Sequence, residues 1–440
     1  MTYDCWTEGM NSKIKPFKIV QKFDEGARKD FAKKMFSELR ELSADTVGVS
    51  RQSYGPGEQE AMELIARYAQ EEGLEVAWDK AANLVISLPG NEQTKPSILC
   101  GSHLDSVPHG GNFDGAAGVI AGLMALIQIN RSGLDPVVPI KLIALRGEES
   151  AWFGLCYLGS YSLFGQMSAK DLDRKHRSSG RTLREYMSEA GADVDAISQG
   201  RKLIVPKDIS AYVELHIEQG PVMVARDVPV GIVTGLRGNI RYNKVLCQGQ
   251  AGHSGAVPRW LRHDAVLATA DLLNRMDEHW RVLLERGLDL VLTAGTLSTN
   301  PETHGLTRIP GECEFSLEFR SQSIETLEAF DELVRAEVRS IEKERGVAFQ
   351  FPVRDMTEPA IMDSQWISHL SNSCKSLNIR HETLPSGAGH DAAVFANNGV
   401  PSAMIFIRND HGSHNPKEAM EIDDFLRGVE VLHHALQSPP

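Results

Sequence analysis

Residues 98–130 read ILCGSHLDSVPHGGNFDGAAGVIAGLMALIQIN. The run Ile98-Leu99-Cys100 is short and apolar and stops at Gly101-Ser102-His103, the pattern of a buried strand entering a polar turn. From Gly115 the chain turns apolar and small-residued with no proline, which predicts a helix buried on all sides. Pro139 then precedes a second apolar strand, Ile140 to Leu145, ending at Glu148-Glu149. Tyr212 to Ile217 is a third strand, and before all of them EQEAMELIARYAQEEG, after Gly57, is an amphipathic helix stopped at Gly73. Strands alternating with helices imply an α/β fold with a mostly parallel sheet covered on both faces. Polar residues gather just beyond the strands, at the carboxyl edge where open α/β sheets bind ligands.

The character changes near residue 232. Arg241 to Cys247 and Cys313 to Phe319 alternate like half-buried antiparallel strands, Val266, Ala270 and Leu273 mark one helix face, and Ile324 to Glu344 reads as a second helix. This predicts a small α+β unit inserted over residues 232–355, dividing a first domain of residues 26–231 and 356–440, with residues 1–25 as a lead-in. Ser402 to Ile407 returns to the first domain as a buried strand, and a last helix follows Pro416.

A chain of 440 residues suits two or three domains. Its net charge of −13 repels phosphate backbones, so nucleic acid is not an expected partner, and a small anionic substrate needs a local cationic pocket. The six cysteines are scattered without a C-x-x-C pair, which argues against a disulfide framework or structural zinc and fits a reducing cytoplasm. The first twenty residues hold no apolar segment of signal-peptide type, and no run of 18 apolar residues predicts a membrane span.

Four clusters carry chemistry. His103 ends a strand with Asp105 two residues on, and Asp114 sits in a glycine-rich loop at a helix start; this suits a metal ligand, its orienting carboxylate and a carboxylate able to bridge cations. Singly, they equally fit a buried histidine and a helix N-cap. Glu148-Glu149 lie beyond a buried strand, where one could ligate and the other act as a base, though paired carboxylates often face solvent. In Glu214-Leu215-His216-Ile217-Glu218, strand geometry puts His216 on one face with Glu214 and Glu218; a satisfied core histidine is the alternative. His411-Gly412-Ser413-His414-Asn415-Pro416 is a loop before a helix, which Asn-Pro turn chemistry would also explain. All four fall at strand ends of one sheet. Histidines with bridging and terminal carboxylates suit zinc, manganese, cobalt or nickel.

These motifs resemble the M20 metallopeptidase group, and within it the hydantoinase/carbamoylase amidases. GSHLDSVPHGGNFDGAAGV, EES, ELHIEQGPV, GQAGHSGAVP, SGAGHDA and HGSHNPKEA stand in that family's order from about residue 55 to 425. The resemblance implies a zinc-exopeptidase-like catalytic domain with an inserted lid or dimerisation domain. It implies two divalent cations, one held by His103 and His216, the other by Glu149 and His414, with Asp114 between them. Asp105 would orient His103, and Glu148 would be the general base that activates a bridging hydroxide for attack on a ureido or amide carbon. His253, from the partner subunit of a homodimer, would steady the oxyanion. Arg320 would grip a substrate carboxylate, and Gln219 and His390 would contact the substrate. The expected activity is C–N hydrolysis of an N-carbamoyl-L-amino acid or related ureido compound, with an N-acyl-amino-acid amidase, a dipeptidase or an allantoate amidohydrolase as alternatives. A non-catalytic binding protein is disfavoured because the ligand set and Glu148 are intact. The departures from the family pattern are Ser150, Trp152, Arg259 and Thr307, with Trp152 read more readily as a core aromatic than as a pocket wall.

Overall fold

The computed structural model describes residues 23–91, 95–133 and 135–440. The lead-in expected over residues 1–25 lies outside the described residues up to position 22; Asp24 already caps the first helix, accepting from the Ala27 N–H (α1, Glu25–Ser43). The amphipathic helix α2 covers Pro56–Glu71, its proline tolerated in the first turn where no N–H partner is needed. There follow β1 (Glu75–Trp78), β2 (Leu84–Ser87), β3 (Ser97–His103), α3 (Ala116–Ser132), β4 (Ile140–Leu145), β5 (Ile209–Ile217), β6 (Val230–Leu236) and β7 (Gly238–Gln248).

A nine-stranded sheet runs β1-β2-β4-β3-β5, then Ser402–Ile407, β6 and Ala360–Ile361, with His381–Ser386 also on β6. Neighbours among β4, β3, β5 and Ser402–Ile407 pair in parallel, while β2 and β6 flank them antiparallel. Their carboxyl ends therefore share one edge, at Leu145, His103, Ile217 and Ile407. Helix α3 is buried nearly all round, as its composition requires. A Cβ on Gly118 would stand 2.1 Å from the Leu215 carbonyl oxygen, so only glycine lets α3 lie this close on β5. That contact carries the start of α3, and Asp114 with it, to the end of β5.

The second unit is a six-stranded sheet built on β7 and Glu312–Ser321, antiparallel neighbours from Glu312↔Gln248 to Ser321↔Gly238 with one register shift between Phe315 and Leu317. Cys313, Phe315, Leu317 and Phe319 alternate inward, and helices Ala265–Glu285 and Ile324–Arg345 cover that face with Leu272, Met276, Phe330 and Val334. The junctions differ from those expected at residues 232 and 355. All of β6 stays in the larger sheet and β7 begins the smaller one; Asp355–Thr357 still pairs with β7, and only Ala360–Ile361 rejoins β6. The sequence VGIVTGL of β6 is as apolar as a half-buried antiparallel strand, so composition does not mark the crossing. Arg237, between the two sheets, is clamped by Asp289 at 2.6 Å.

No described helix is long and apolar enough to cross a membrane.

Candidate metal centre

His103 is the last residue of β3 and is buried. Its Nδ1 faces the Asp105 carbonyl at 3.1 Å and the Asp105 carboxylate at 3.2 Å. Nδ1 therefore carries the proton and Nε2 turns its lone pair the other way. His216, next to last in β5, is arranged likewise: Nδ1 lies 2.9 Å from the Ile217 carbonyl, and Nε2 accepts from the Gly115 N–H at 3.2 Å. The two Nε2 atoms are 3.5 Å apart. Asp114 Oδ1, buried and without a hydrogen-bond partner, stands 3.4 Å from one and 3.2 Å from the other.

Three atoms able to ligate a cation thus lie within 3.5 Å of one another. Tetrahedral ligands at about 2.1 Å from a zinc-like ion stand about 3.4 Å from one another. The observed edges of 3.2, 3.4 and 3.5 Å match that triangle, and the donor set is one such an ion takes. A second group shares Asp114: His414 Nε2 is 3.1 Å from Glu149 Oε1 and 3.7 Å from Asp114 Oδ2. His414 sits at φ +62°, strained for a residue with a side chain. A third group, Glu214, His216 and His390, is satisfied without an ion. There the Glu214 carboxylate accepts from Ser102 Oγ at 2.7 Å and the Ala392 N–H at 2.8 Å, and His390 Nε2 faces Ser386 Oγ at 3.1 Å.

The electrostatics agree. Asp105, Asp114, Glu148, Glu149, Glu214, Asp391 and Glu418 are all buried here, with Arg51 a buried cation nearby. Buried carboxylates at this density call for compensating cations. Burial alone would lower His103, but the neighbouring carboxylates Asp105, Asp114 and Glu148 push it well above its usual range. His216 is raised over its own burial by Asp114, and His414 is raised to about 9, chiefly by Glu149. Asp114 is held well below the carboxylate range, its nearness to the His216 and His103 rings outweighing burial. Burial pushes Glu148 well above its usual value, with Glu149 and Asp391 adding to it and His103 opposing. Burial and the charge of His216 hold His390 neutral, well below the histidine range.

Besides facing His103, the Asp105 carboxylate accepts from the Glu148 N–H at 3.0 Å, the Glu149 N–H at 3.1 Å and Ser53 Oγ at 2.6 Å. Gln219 Nε2 donates to Asp114 Oδ2 at 2.8 Å. His390 packs on His216 with ring centroids 4.4 Å apart. Glu218 departs from expectation: β5 stops at Ile217, and its carboxylate accepts from the Val222 and Met223 N–H groups. Arg320 reaches the His390 loop, donating to the Gly387 carbonyl at 2.8 Å, but its fork is shared with Glu318 at 3.0 Å. His253 is not brought to the centre within this chain. It is exposed in a two-stranded ribbon with Arg308, and its ring accepts from the Gly255 N–H.

Two residues that composition and spacing did not single out contact Asp114. Ser413 Oγ donates to Asp114 Oδ2 and, at 3.0 Å, to Glu418 Oε2. Glu418 accepts from the Phe113 and Asp114 N–H groups at 2.7 and 3.2 Å. Both lie in the stretch HGSHNPKEA, whose repeated polar residues were the available signal. Trp152 is a core residue: it is buried, stacks on His176 at 5.4 Å and donates to the Ser106 carbonyl at 2.7 Å.

The family model of peptidase family M20/M25/M40 matches residues 99–438. An N-carbamoyl-L-amino acid amidohydrolase from Geobacillus stearothermophilus is 36% identical over 390 residues, 88% of this chain and 93% of the relative. An allantoate amidohydrolase from Escherichia coli is 30% identical over 396 residues, 90% of this chain and 94% of the relative. Among solved structures, a hydantoinase/carbamoylase family amidase from Burkholderia multivorans superposes with a TM-score of 0.81 at 28% identity, covering 93% of this chain and 97% of the other.

Proposed function

The chain belongs to peptidase family M20/M25/M40, and from that premise we propose that it hydrolyses the C–N bond of an N-carbamoyl-L-amino acid with two divalent cations bound. The observation that carries the reading is Asp114, whose two oxygens face two separate ligand groups: His103 with His216, and Glu149 with His414. Zinc, manganese, cobalt and nickel all suit these donors, and bound there they would polarise the substrate carbonyl and acidify water.

The chain's own groups do the rest. Glu148, buried beside His103, takes a proton from the attacking water as its oxygen bonds to the carbamoyl carbon. Glu148 then delivers that proton to the nitrogen as the C–N bond breaks, releasing the amino acid and a carbamate that decays to carbon dioxide and ammonia. Asp105 keeps His103 and Glu148 in place through the hydrogen bonds described above. Arg320 receives the substrate carboxylate by exchanging its Glu318 contact for a bidentate pair. Gln219 and His390 line the approach. His253 of a second copy stabilises the oxyanion; its exposure, beside the exposed side chains of Trp260, Leu261 and Leu306, supports a homodimer. The unpaired Cys100, Cys156, Cys247, Cys313 and Cys374 support a cytoplasmic setting.

Allantoate is the second reading. The allantoate amidohydrolase relative covers as much of the chain, and allantoate offers the same carboxylate and carbamoyl chemistry. The test is a screen of metal-reconstituted protein against N-carbamoyl-L-amino acids, allantoate and N-acyl amino acids, reading ammonia and free amine. Ammonia from the first class is the expected result. Turnover of N-acyl amino acids with no ammonia from any carbamoyl compound overturns the reading.

A further inference from the structure

Glu148 and Glu149 differ from the histidine ligands in one respect. His103 and His216 stand on strands whose ladders fix them, whereas β4 ends at Leu145 and the two glutamates lie beyond it. Side chains hold them instead. Four consecutive N–H groups each donate to a buried side-chain oxygen: Arg146 to Asn83 Oδ1 at 3.0 Å, Gly147 to Glu58 Oε1 at 2.8 Å, and Glu148 and Glu149 to Asp105 at 3.0 and 3.1 Å. The carbonyls of Arg146, Gly147 and Glu148 accept in turn from the N–H groups of Gly159, Leu158 and Tyr157. The segment is as fully bonded as a central strand without being in the sheet.

Asp105 faces this segment from the cation side. Glu58, in the first turn of α2, also holds it and is completely buried. Its other oxygen binds Arg146 Nη1 at 2.8 Å and the Tyr54 N–H at 2.7 Å. Arg146, also completely buried, spends its remaining donors on the Ala82 carbonyl at 2.6 Å and on Gln59 Oε1. A buried Glu–Arg pair costs more to desolvate than hydrophobic packing of the same volume, so stability alone gives little reason for it. What this pair provides is a fixed height for the backbone that presents Glu148 and Glu149.

We propose that Glu58 and Arg146 are positioning residues for the base Glu148 and the ligand Glu149, acting through the backbone of residues 146–149. The proposal rests on the reading of Glu148 and Glu149 given above, and its test separates the two. Glu58→Gln keeps the shape and removes the charge. Calorimetric titration of the metal-free variant with manganese or zinc should show the site of Glu149 and His414 weakened about 10- to 100-fold, the range for loss of an outer hydrogen-bond partner, with the His103–His216 site unchanged. On whichever substrate the wild type turns over, kcat per cation-loaded molecule should fall by about 10-fold or more with KM unchanged, as misplacement without lost binding requires.

A merely structural role would lower the melting temperature and leave both values at wild type in the folded fraction, and that result overturns the proposal. If Glu58→Gln does not fold, Gln59→Ala, at the half-buried edge of the network, should shift the same two values in the same direction by less; wild-type values there overturn it equally. A wild type that binds cations but hydrolyses nothing refutes the proposed activity, and the titration arm still decides the role of Glu58.

Discussion

Gly115→Ala is the sharpest test of the first ligand group. Gly115 has φ +65°, and a Cβ built on it would lie 2.5 Å from Nδ1, Cε1 and Nε2 of His103. Comfortable carbon contact is about 3.5–4.0 Å, so the imidazole must retreat by about 1 Å. It has nowhere to go without loss. Asp105 holds Nδ1 at 3.1 and 3.2 Å, and Nε2 is already 3.4 Å from Asp114 Oδ1. The positive φ with ψ −48°, a sparsely populated conformation, adds about 1–3 kcal/mol of destabilisation for an L residue. A displacement of that size at a catalytic ligand costs up to about 100-fold in turnover. The expected result is a folded protein, slightly less stable to urea, whose His103–His216 site binds zinc or manganese far more weakly in calorimetry. The Glu149–His414 site, which the ring does not touch, should change less. A folded variant that takes up both cations with wild-type affinity and turns over normally would show that His103 is not a ligand.

Glu148→Gln should retain both cations by elemental analysis yet lose about two or more orders of magnitude in kcat, as removal of a general base requires; activity within a few-fold of wild type contradicts the role. Arg320→Ala should raise KM with little change in kcat, and an unchanged KM rejects its assignment to the substrate carboxylate. For His414 the sign follows from its partner: Glu149 raises it from 6.5 to about 9, so its contribution to the stability of the metal-free chain is complete below 6.5 and is lost as pH rises through about 9. A cation must displace that same proton, so affinity at this site should climb between about pH 7 and 9 with proton release visible in buffers of different ionisation heat; a flat profile refutes the pairing. Trp152→Phe should cost about 1 kcal/mol in urea unfolding for the lost hydrogen bond to Ser106, with KM unaltered, whereas a changed KM would make Trp152 a pocket wall.

The parts of the centre legible in sequence are those within a few residues of a strand end. His103, His216 and the pair Glu148-Glu149 each follow an apolar run, and the parallel order of those runs brings their ends together. Glu58 was illegible for the converse reason. An acid in the first turn of an amphipathic helix reads as a solvated partner of the helix dipole, and only the tertiary fold sets it against Arg146, 88 positions away. Glu418 is hidden similarly, 305 positions from the Phe113 N–H it accepts. The engagement of Arg320 was within reach: Glu318 is two residues earlier on the same strand, hence on the same face, and period-two geometry alone puts the two side chains together.

His253 carries the argument to assembly. The sequence marks it, and the structure leaves it exposed, away from the ligands of its own chain. Two arrangements could bring such a ring to a metal centre: a rotation of the smaller unit onto its own larger one, or a second copy of the chain. The neighbouring surface separates them. Trp260 is 80% exposed, Leu261 51% and Leu306 102%, apolar side chains in the same unit as His253, and exposed apolar surface of this kind favours a second copy. A second copy would cover that surface as it delivers the histidine. We therefore expect Trp260→Glu to convert a dimer to monomer in light scattering and to lower kcat with it. Monomeric wild-type protein with full activity would exclude the second copy and leave the rotation.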